Sequence, residues 1–422
     1  MEGEKHLKKI FYTFLLMLGL FPGILSAGGF QINEHGAKAM AMGGAFTALA
    51  NDASAIYWNN AGITQLNGTN FMLGSALIAP SSKFRGVTPS TDITHMKSGT
   101  FFPSHLFVTH SVTNSLALGL GFTTPFGLGT EWDEGWVGKY LARKTELTTF
   151  WVPLTVGYKI TDQLSLGASF VYSFADVLIT RNNSQTPFEG DAYVELEGSD
   201  SFGFGYTFGV MYKPLDILSI GASFRSEVEY EFEGTATTTG AQQLQEAGQL
   251  PNGDVTAKLV TPMNIAGGIA CQVIPELMLS ADFQWIGWSS FDSLVVNFVD
   301  PEIEDQSSPR EYKDTYAIRF GAQYKISNDL TLLGGIYFDK MPVEPERVSP
   351  ILPDSDRMGY SFGVDAKLVE SFGITASYLF ISASELTVTN SKEVYTPGNS
   401  PFNGSYISDA NLLSLSLYYN LQ

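Results

Sequence analysis

One cysteine, Cys271, is all the thiol that this 422-residue chain carries, so it can form no intrachain disulfide and no cysteine-based zinc site. Charge is scarce: 16% of residues are charged, and 24 lysines and arginines stand against 43 aspartates and glutamates. A formal net charge of −19 leaves little to neutralise a phosphate backbone and argues against nucleic acid as a partner. The five histidines, at 6, 35, 95, 105 and 110, show no metal-ligand spacing, and there is no P-loop or dinucleotide fingerprint. No metal and no cofactor are expected. Beyond the N-terminus no apolar run approaches the ~20 residues of a transmembrane helix. No Pro/Ser-rich linker divides the chain after residue 67, which implies one large domain.

What is present begins with an export signal. Lys5, Lys8 and Lys9 precede an apolar run over residues 10–21, followed by Pro22 and the small residues Ser26 and Ala27. That order reads as a secretory signal over 1–26, cut after Ser26 or Ala27. Residues 27–67 follow a different rule from everything after them. Their side chains are mostly small, glycine and alanine recur, and the two-residue alternation of the later chain is missing. The segment reads as a plug of short helices inside an enclosing sheet, with an N-terminal subdomain beside a soluble sheet as the alternative.

From Thr69 onward the signal has period two, which sends alternate side chains to opposite faces of a strand. In the last strand Leu413, Leu415, Leu417, Tyr419 and Leu421 share one face, and Ser414, Ser416, Tyr418 and Asn420 the other. The stretches 164–174 and 116–122 repeat the pattern. A soluble sandwich would place many Lys and Glu on its outward face, whereas these strands offer Ser, Gly and Thr. With 42 glycines, 13% aromatic residues and a mean hydropathy of +0.04, the composition suits a barrel that shows lipid one face and its lumen the other.

The connections support that reading. Short polar turns fall near 113–114, 161–163, 213–216, 274–276, 327–329 and 369–371, and longer connections near 81–100, 125–146, 181–199, 234–253, 299–311, 341–356 and 391–407. Their alternation implies an all-β, antiparallel transmembrane barrel of about fourteen strands over 68–422, with both ends of the chain on the short-turn side. Acidic groups at 131–134 and 302–305 read as solvated loops; Asp354 and Asp356 are the only pair weighed as a divalent-ion contact.

Gly359-Tyr360-Ser361-Phe362-Gly363 matches the G-x-S-x-G elbow, but that motif needs a strand, sharp turn and helix. Here it sits within an alternating strand, so no enzyme activity is expected. Phe30, Phe101, Phe102, Phe126, Trp132, Trp136 and Trp151 fall in the plug, in loops or at loop edges. A lumen lined by such residues favours an apolar ligand. Pro125 interrupts a strand that runs into Thr124-Pro125-Phe126-Gly127. Because proline donates nothing to a ladder, the strand either ends in a loop there or kinks inward and opens the wall.

Taken in order, several segments resemble the FadL-type long-chain fatty acid transporters of Gram-negative outer membranes, whose relatives include carriers of aromatic hydrocarbons. AGGFQINE at 27–34 resembles the family's mature start with one extra glycine, and Asn59-Asn60-Ala61 stands where the family carries Asn-Pro-Ala. TPFGLGTEW at 124–132, WIGWSSFDSL at 285–294, the run 312–343 and PDSDR at 353–357 complete the resemblance, which covers almost the whole chain. It implies a fourteen-stranded barrel closed by an N-terminal hatch, an inward kink at residues Thr124, Pro125, Phe126 and Gly127, and lateral exit of apolar ligands into the membrane. It also implies that Phe30, Arg181 and Asp339 stand near a high-affinity pocket, where Arg310 lies close in sequence to the place of a family lysine.

The expected function is passive uptake of hydrophobic molecules, long-chain fatty acids first, by a monomer set in outer-membrane lipid and lipopolysaccharide. Aromatic-hydrocarbon uptake and a porin-like or structural barrel are the alternatives.

Overall fold

Fourteen wall strands follow one another antiparallel around a closed ring. The computed structural model describes residues 28–87, 90, 92–184, 190–240, 252–395 and 400–421; the expected signal and its cleavage site lie outside them. The first four strands are β1 (Thr69–Gly86), β2 (Ser104–Ser111), β3 (Leu116–Phe122 resumed at Gly127–Glu131) and β4 (Lys144–Lys159). Then come β5 (Leu164–Ser184), β6 (Asp191–Leu215), β7 (Leu218–Arg225 with Val228–Thr239) and β8 (Gly253–Thr261 with Asn264–Ile274). β9 (Leu277–Ile286 with Ser293–Phe298), β10 (Thr315–Lys325) and β11 (Leu330–Asp339) continue the wall. β12 (Arg357–Val369), β13 (Phe372–Ala383 with Leu386–Val388) and β14 (Gly404–Leu421) complete it. Closure comes from β1 against β14, in register from Thr69↔Leu421 to Gly86↔Gly404.

The alternation resolves as lipid outside and plug inside. Leu413, Leu415, Leu417, Tyr419 and Leu421 are exposed on the outer face, while Ser414 and Ser416 are buried toward the lumen. On β5, Leu166 and Phe170 point out, and Ser165, Ser169 and Ser173 point in. Two expected loops are shorter than the sequence suggested. β5 runs to Ser184 and β6 resumes at Asp191, while β7 runs to Thr239 and β8 starts at Gly253, so most of 181–199 and the edges of 234–253 are strand. At these hairpin ends the inward side chains stay apolar and buried, as at Ala192, Val194, Ala236 and Val255, while the outward ones turn charged, as at Glu195 and Glu197. The charged outer positions give these ends the composition of loops although the alternation and the backbone ladder continue.

Inside sits the plug, with helices α1 (Ala37–Ala41) and α2 (Ala55–Trp58) and a 3₁₀ turn over Asn60–Gln65. Its small side chains let its backbone approach the wall, where inward hydroxyls and one carboxylate hold it. Ala37 N–H donates to Ser416 Oγ at 2.9 Å, while Ser361 Oγ donates to Ala41 O and Ser280 Oγ to Ala45 O, both at 2.8 Å. Asp282 Oδ2 accepts from the N–H groups of Phe46 (2.9 Å) and Thr47 (2.7 Å). Ser361, the centre of the elbow-like motif, is thus a plug anchor.

Asn59 Nδ2 donates to Thr47 O (2.8 Å) and Val210 O (3.0 Å), and Asn60 Nδ2 to Ser169 Oγ (3.0 Å) and Thr207 Oγ1 (2.9 Å). A proline at position 60 could make neither of the latter bonds. The wall is glycine opposite this turn: a Cβ at Gly167 would lie 2.3 Å from Ala61 N, and one at Gly209 2.2 Å from Asn59 Oδ1.

Two tests follow. In a Cys271→Ser background, single cysteines at 190 and 305 should label from outside intact cells, and those at 162, 275, 328 and 370 should not; labelling of two of the latter group would contradict this topology. Asp282→Ala strands two buried amides, each costing about 1–3 kcal/mol. Hydrogen exchange at Phe46 and Thr47 should quicken accordingly while exchange in β1 and β14 stays slow.

Candidate ligand-binding site and wall opening

β3 leaves the wall at its midpoint. Leu116–Phe122 pairs with β2 and β4, but Gly127–Glu131 pairs with β4 alone. Between them Pro125 removes a donor, and the neighbouring backbone turns to the plug for partners. Ile32 N–H donates to Pro125 O at 2.8 Å, Gly127 N–H donates to Phe30 O at 3.0 Å, and Gln31 forms an antiparallel bridge with Phe126. From the other side, Phe126 N–H donates to Thr149 Oγ1 at 3.0 Å. Thr124 and Phe126 are buried. The sequence left two readings of Pro125 open; the structure places an inward kink there, with strand on both sides.

A cavity of about 550 Å³ opens at this kink. Its inner end is lined by plug residues 29–34 and by Arg319, Tyr337, Asp339 and Arg357; its outer end reaches Phe101, Phe102, Thr148 and Phe150. Phe102 is 61% exposed on the outer surface. The ring of Phe101 lies across β3 so closely that a Cβ on Gly129 would sit 2.0 Å from it. That ring is the side chain standing in the opening.

A second, apolar pocket lies beside the first. Leu147, Leu259, Phe291, Val296, Tyr312 and Val343 are among its walls, and Phe30, Leu128, Leu147 and Leu352 line both spaces. Phe30 is packed edge-on against Trp288 (4.8 Å between ring centres), Phe291 (5.5 Å) and Phe126 (6.0 Å). It therefore partitions the two cavities.

Two arginines line the apolar pocket, and they differ in what they hold. Arg347 makes a two-point contact with Glu311, at 2.9 and 2.7 Å, and that bond drives the Glu311 carboxyl down to about 2. Arg310 is 7% exposed and its guanidinium has no hydrogen bond or ion pair among the described residues. Burial raises the Glu393 carboxyl, and the charge of Arg310 acts on it from beyond ion-pair distance. Arg181 is outside the pocket lining; it donates to Gln306 Oε1 at 2.9 Å and adjoins Arg310 electrostatically.

The structure thus brings Phe30 and Arg310 to one pocket, sets Arg181 behind it, and places Asp339 in the other cavity beside Gly28. Asp354, weighed as an ion contact, instead accepts from Gly29 N–H at 3.0 Å and pairs with Arg357 at 2.9 Å. Trp132 and Trp136 stack on each other at 4.3 Å and line neither cavity. The residues that sequence reasoning missed are Trp288 and Phe291, which pack on Phe30, and Tyr312, which packs on both of them. All three fall in or beside segments that carry the family resemblance, but a strand pattern gives no sign that they meet a plug residue.

Taken together, a closed barrel with an apolar outer belt, a plugged lumen and an apolar pocket define an outer-membrane channel for hydrophobic compounds. The family model described as outer membrane protein transport protein (OMPP1/FadL/TodX) matches residues 20–421, and the chain belongs to that family. Outer membrane protein P1 of Haemophilus influenzae is 25% identical, with 94% of this chain and 97% of that protein aligned. The long-chain fatty acid transport protein of Escherichia coli K12 is also 25% identical, over 79% of this chain and 83% of its own length. Among solved structures, a Pseudomonas aeruginosa FadL homologue superposes with a TM-score of 0.85 at 20% identity, covering 94% of this chain and 100% of that one. The toluene transporter TodX of Pseudomonas putida gives 0.76 at 18% identity, covering 94% and 100%. The protein is a transport channel of the outer membrane and not an enzyme.

Proposed function

We propose that the chain carries long-chain fatty acids, held carboxylate-first at Arg310 in the apolar pocket and released sideways through the kink in β3. The observation that carries this reading is Arg310, a buried cation in an apolar wall with no anion of its own. A lone buried charge is costly, and an acyl carboxylate supplies the missing partner through charge-assisted hydrogen bonds. Each CH₂ taken from water contributes about 0.8 kcal/mol, so the chain of the ligand drives binding and the head group selects it. An aromatic hydrocarbon would suit the rings around Phe30 but would leave Arg310 unpaired. A hydrated solute is disfavoured by the plug, whose backbone lies directly against the wall glycines.

Passage then follows the two adjoining cavities. Ligand displaces the Phe30 ring, enters the cavity behind the kink, turns Phe101 aside and leaves between β2 and β3. The chain acts as a monomer in a lipopolysaccharide-bearing leaflet on this reading, with no energy source beyond the ligand's preference for apolar surroundings.

Arg310→Ala should weaken oleate binding about tenfold to a hundredfold, since a hydrogen bond to a charged group is worth about 1.5–3 kcal/mol, and should leave methyl oleate nearly unchanged. Equal losses for acid and ester would show that the carboxylate is read elsewhere. For the exit, Pro125→Val with Gly127→Thr restores a donor and β-branched residues, which favours pairing of β3 with β2. That double variant should insert and bind oleate normally yet deliver it to cells several-fold more slowly; uptake at the parental rate would rule out the lateral route.

A further inference from the structure

Glu311 is a carboxylate held beside the apolar pocket in the way a ligand's head group would be. Arg347, which lines that pocket, grips it with two hydrogen bonds, from Nε to Oε2 at 2.9 Å and from Nη2 to Oε1 at 2.7 Å. That fork is the geometry in which a guanidinium takes a free carboxylate. The two partners are unequally sheltered: the Arg347 side chain is 14% exposed and that of Glu311 38%. The arginine therefore needs an anion more than the glutamate needs a cation.

Two further observations mark Glu311 as displaceable. Its φ is +52, one of two positive values at residues other than glycine among those described, and an L-residue is strained there. The strained turn is held from two sides, because the N–H groups of Arg310 and Glu311 both donate to Asp292 O, at 2.7 and 2.8 Å, while Arg347 holds the side chain. Glu311 also has a second cation, Lys392 at 3.4 Å, to which it can turn on leaving Arg347. Lys392 in turn pairs with Glu346, and its N–H donates to Glu346 O at 2.7 Å, so one cluster ties three outer loops together. The loop that carries Arg347 also supplies Val343, Ile351 and Leu352 to the pocket wall. The pair of Arg347 and Glu311 thus clasps one wall of the pocket to the loop that carries Arg310.

We propose that Arg347 is a second carboxylate site of the apolar pocket, that Glu311 occupies it as an internal stand-in for the ligand, and that an entering acyl carboxylate exchanges with Glu311. The inference rests on the carboxylate ligand proposed above and adds where its head group is first received. Exchange replaces one carboxylate with another, so the sheltered cation is never left bare. Glu311 turns to Lys392, its backbone strain is released, and the clasp between the two loops opens. Arg310, the residue next to Glu311 in the chain, is then the unpaired cation that takes the head group on. A hydrocarbon or an ester has no anion to offer Arg347 and leaves the clasp shut. The pocket thereby selects for the acid on entry as well as at rest.

Two variants break the same clasp from opposite ends and so separate a binding site from a mere tie. Glu311→Gln frees the Arg347 guanidinium, whereas Arg347→Gln leaves no cation there. The protein, purified from outer membrane, is mixed with oleate or methyl oleate, each presented as a cyclodextrin complex in alkaline buffer, and association is followed by stopped flow. Oleate should associate about tenfold faster with Glu311→Gln than with Arg347→Gln, the low end of what a steering charge adds to an on-rate, while methyl oleate associates equally with both. A tie without a ligand role predicts the same change for acid and ester in both variants, and that result would overturn the proposal. If one variant does not insert, the other decides against the parent: Glu311→Gln should widen the acid's lead over the ester, Arg347→Gln should erase it, and an unchanged lead overturns the proposal. The reading of Arg310 concerns equilibrium affinity instead. Equal weakening of acid and ester in Arg310→Ala would end that reading and leave these rates to decide this one.

Discussion

A backbone amide or carbonyl surrounded by lipid must find a partner within the protein, and the interrupted third strand meets that constraint by borrowing one. Where β3 turns inward, Phe30 and Ile32 of the plug take the place that β2 would hold, through the bonds to Gly127 and Pro125. The opening in the wall and the seating of the plug are consequently a single arrangement. A change that shifts residues 30–32 removes the partners that make the kink tolerable, and a change that straightens β3 takes away the ledge on which the plug's first residues rest.

The rest of the plug is held by a different economy. Single hydroxyl-to-backbone bonds from Ser280, Ser361 and Ser416, each worth about 1 kcal/mol net, place it in register with the wall. Beside them Met42, Phe46, Ile56 and Ile63 of the plug pack in one buried apolar cluster with Met72, Phe107, Met211 and Leu333 of the wall. Charge is distributed with similar restraint. Arg347 is neutralised by Glu311, Arg357 by Asp354, and Arg319 is spent on Gly43 O and Gln284. Against that background Arg310 stands apart.

Much of the wall was legible because lipid outside and small polar groups inside impose a strict alternation on 116–122, 164–174 and 413–421. The tall ends of β5 to β8 read as loops because their outward positions are charged or polar where lipid no longer faces them, although Ala192, Val194, Ala236 and Val255 keep the buried inward face. Alternation also could not show that the ladder between β6 and β7 lapses between the pairs Ser199↔Glu233 and Thr207↔Arg225. There Tyr230 fills the lumenal side and accepts from Trp151 Nε1 at 2.9 Å. Of the site, Phe30 and the residues of the kink were visible through motif and proline chemistry. The pairing state of Arg310 was not, since whether a cation is free depends on Glu311, Glu393 and Gln306 lying where the fold puts them. Asp339 was legible through the family resemblance as a match to a pocket aspartate but not as the neighbour of Gly28, a contact separated by more than three hundred residues.

The seam between β1 and β14 has a consequence for how the molecule comes into being. Its eighteen paired positions join the first wall strand to the last, so the contact that abolishes the sheet's two edges is among the most distant in sequence that the chain makes. Non-local pairing forms late, after the entropy of closing a very long loop has been met. Until the final eighteen residues have been synthesised and exported, every shorter chain is an open sheet with two unpaired, apolar-faced edges, the form most prone to join another copy. The time between translocation and closure is therefore the interval in which this protein depends on being escorted.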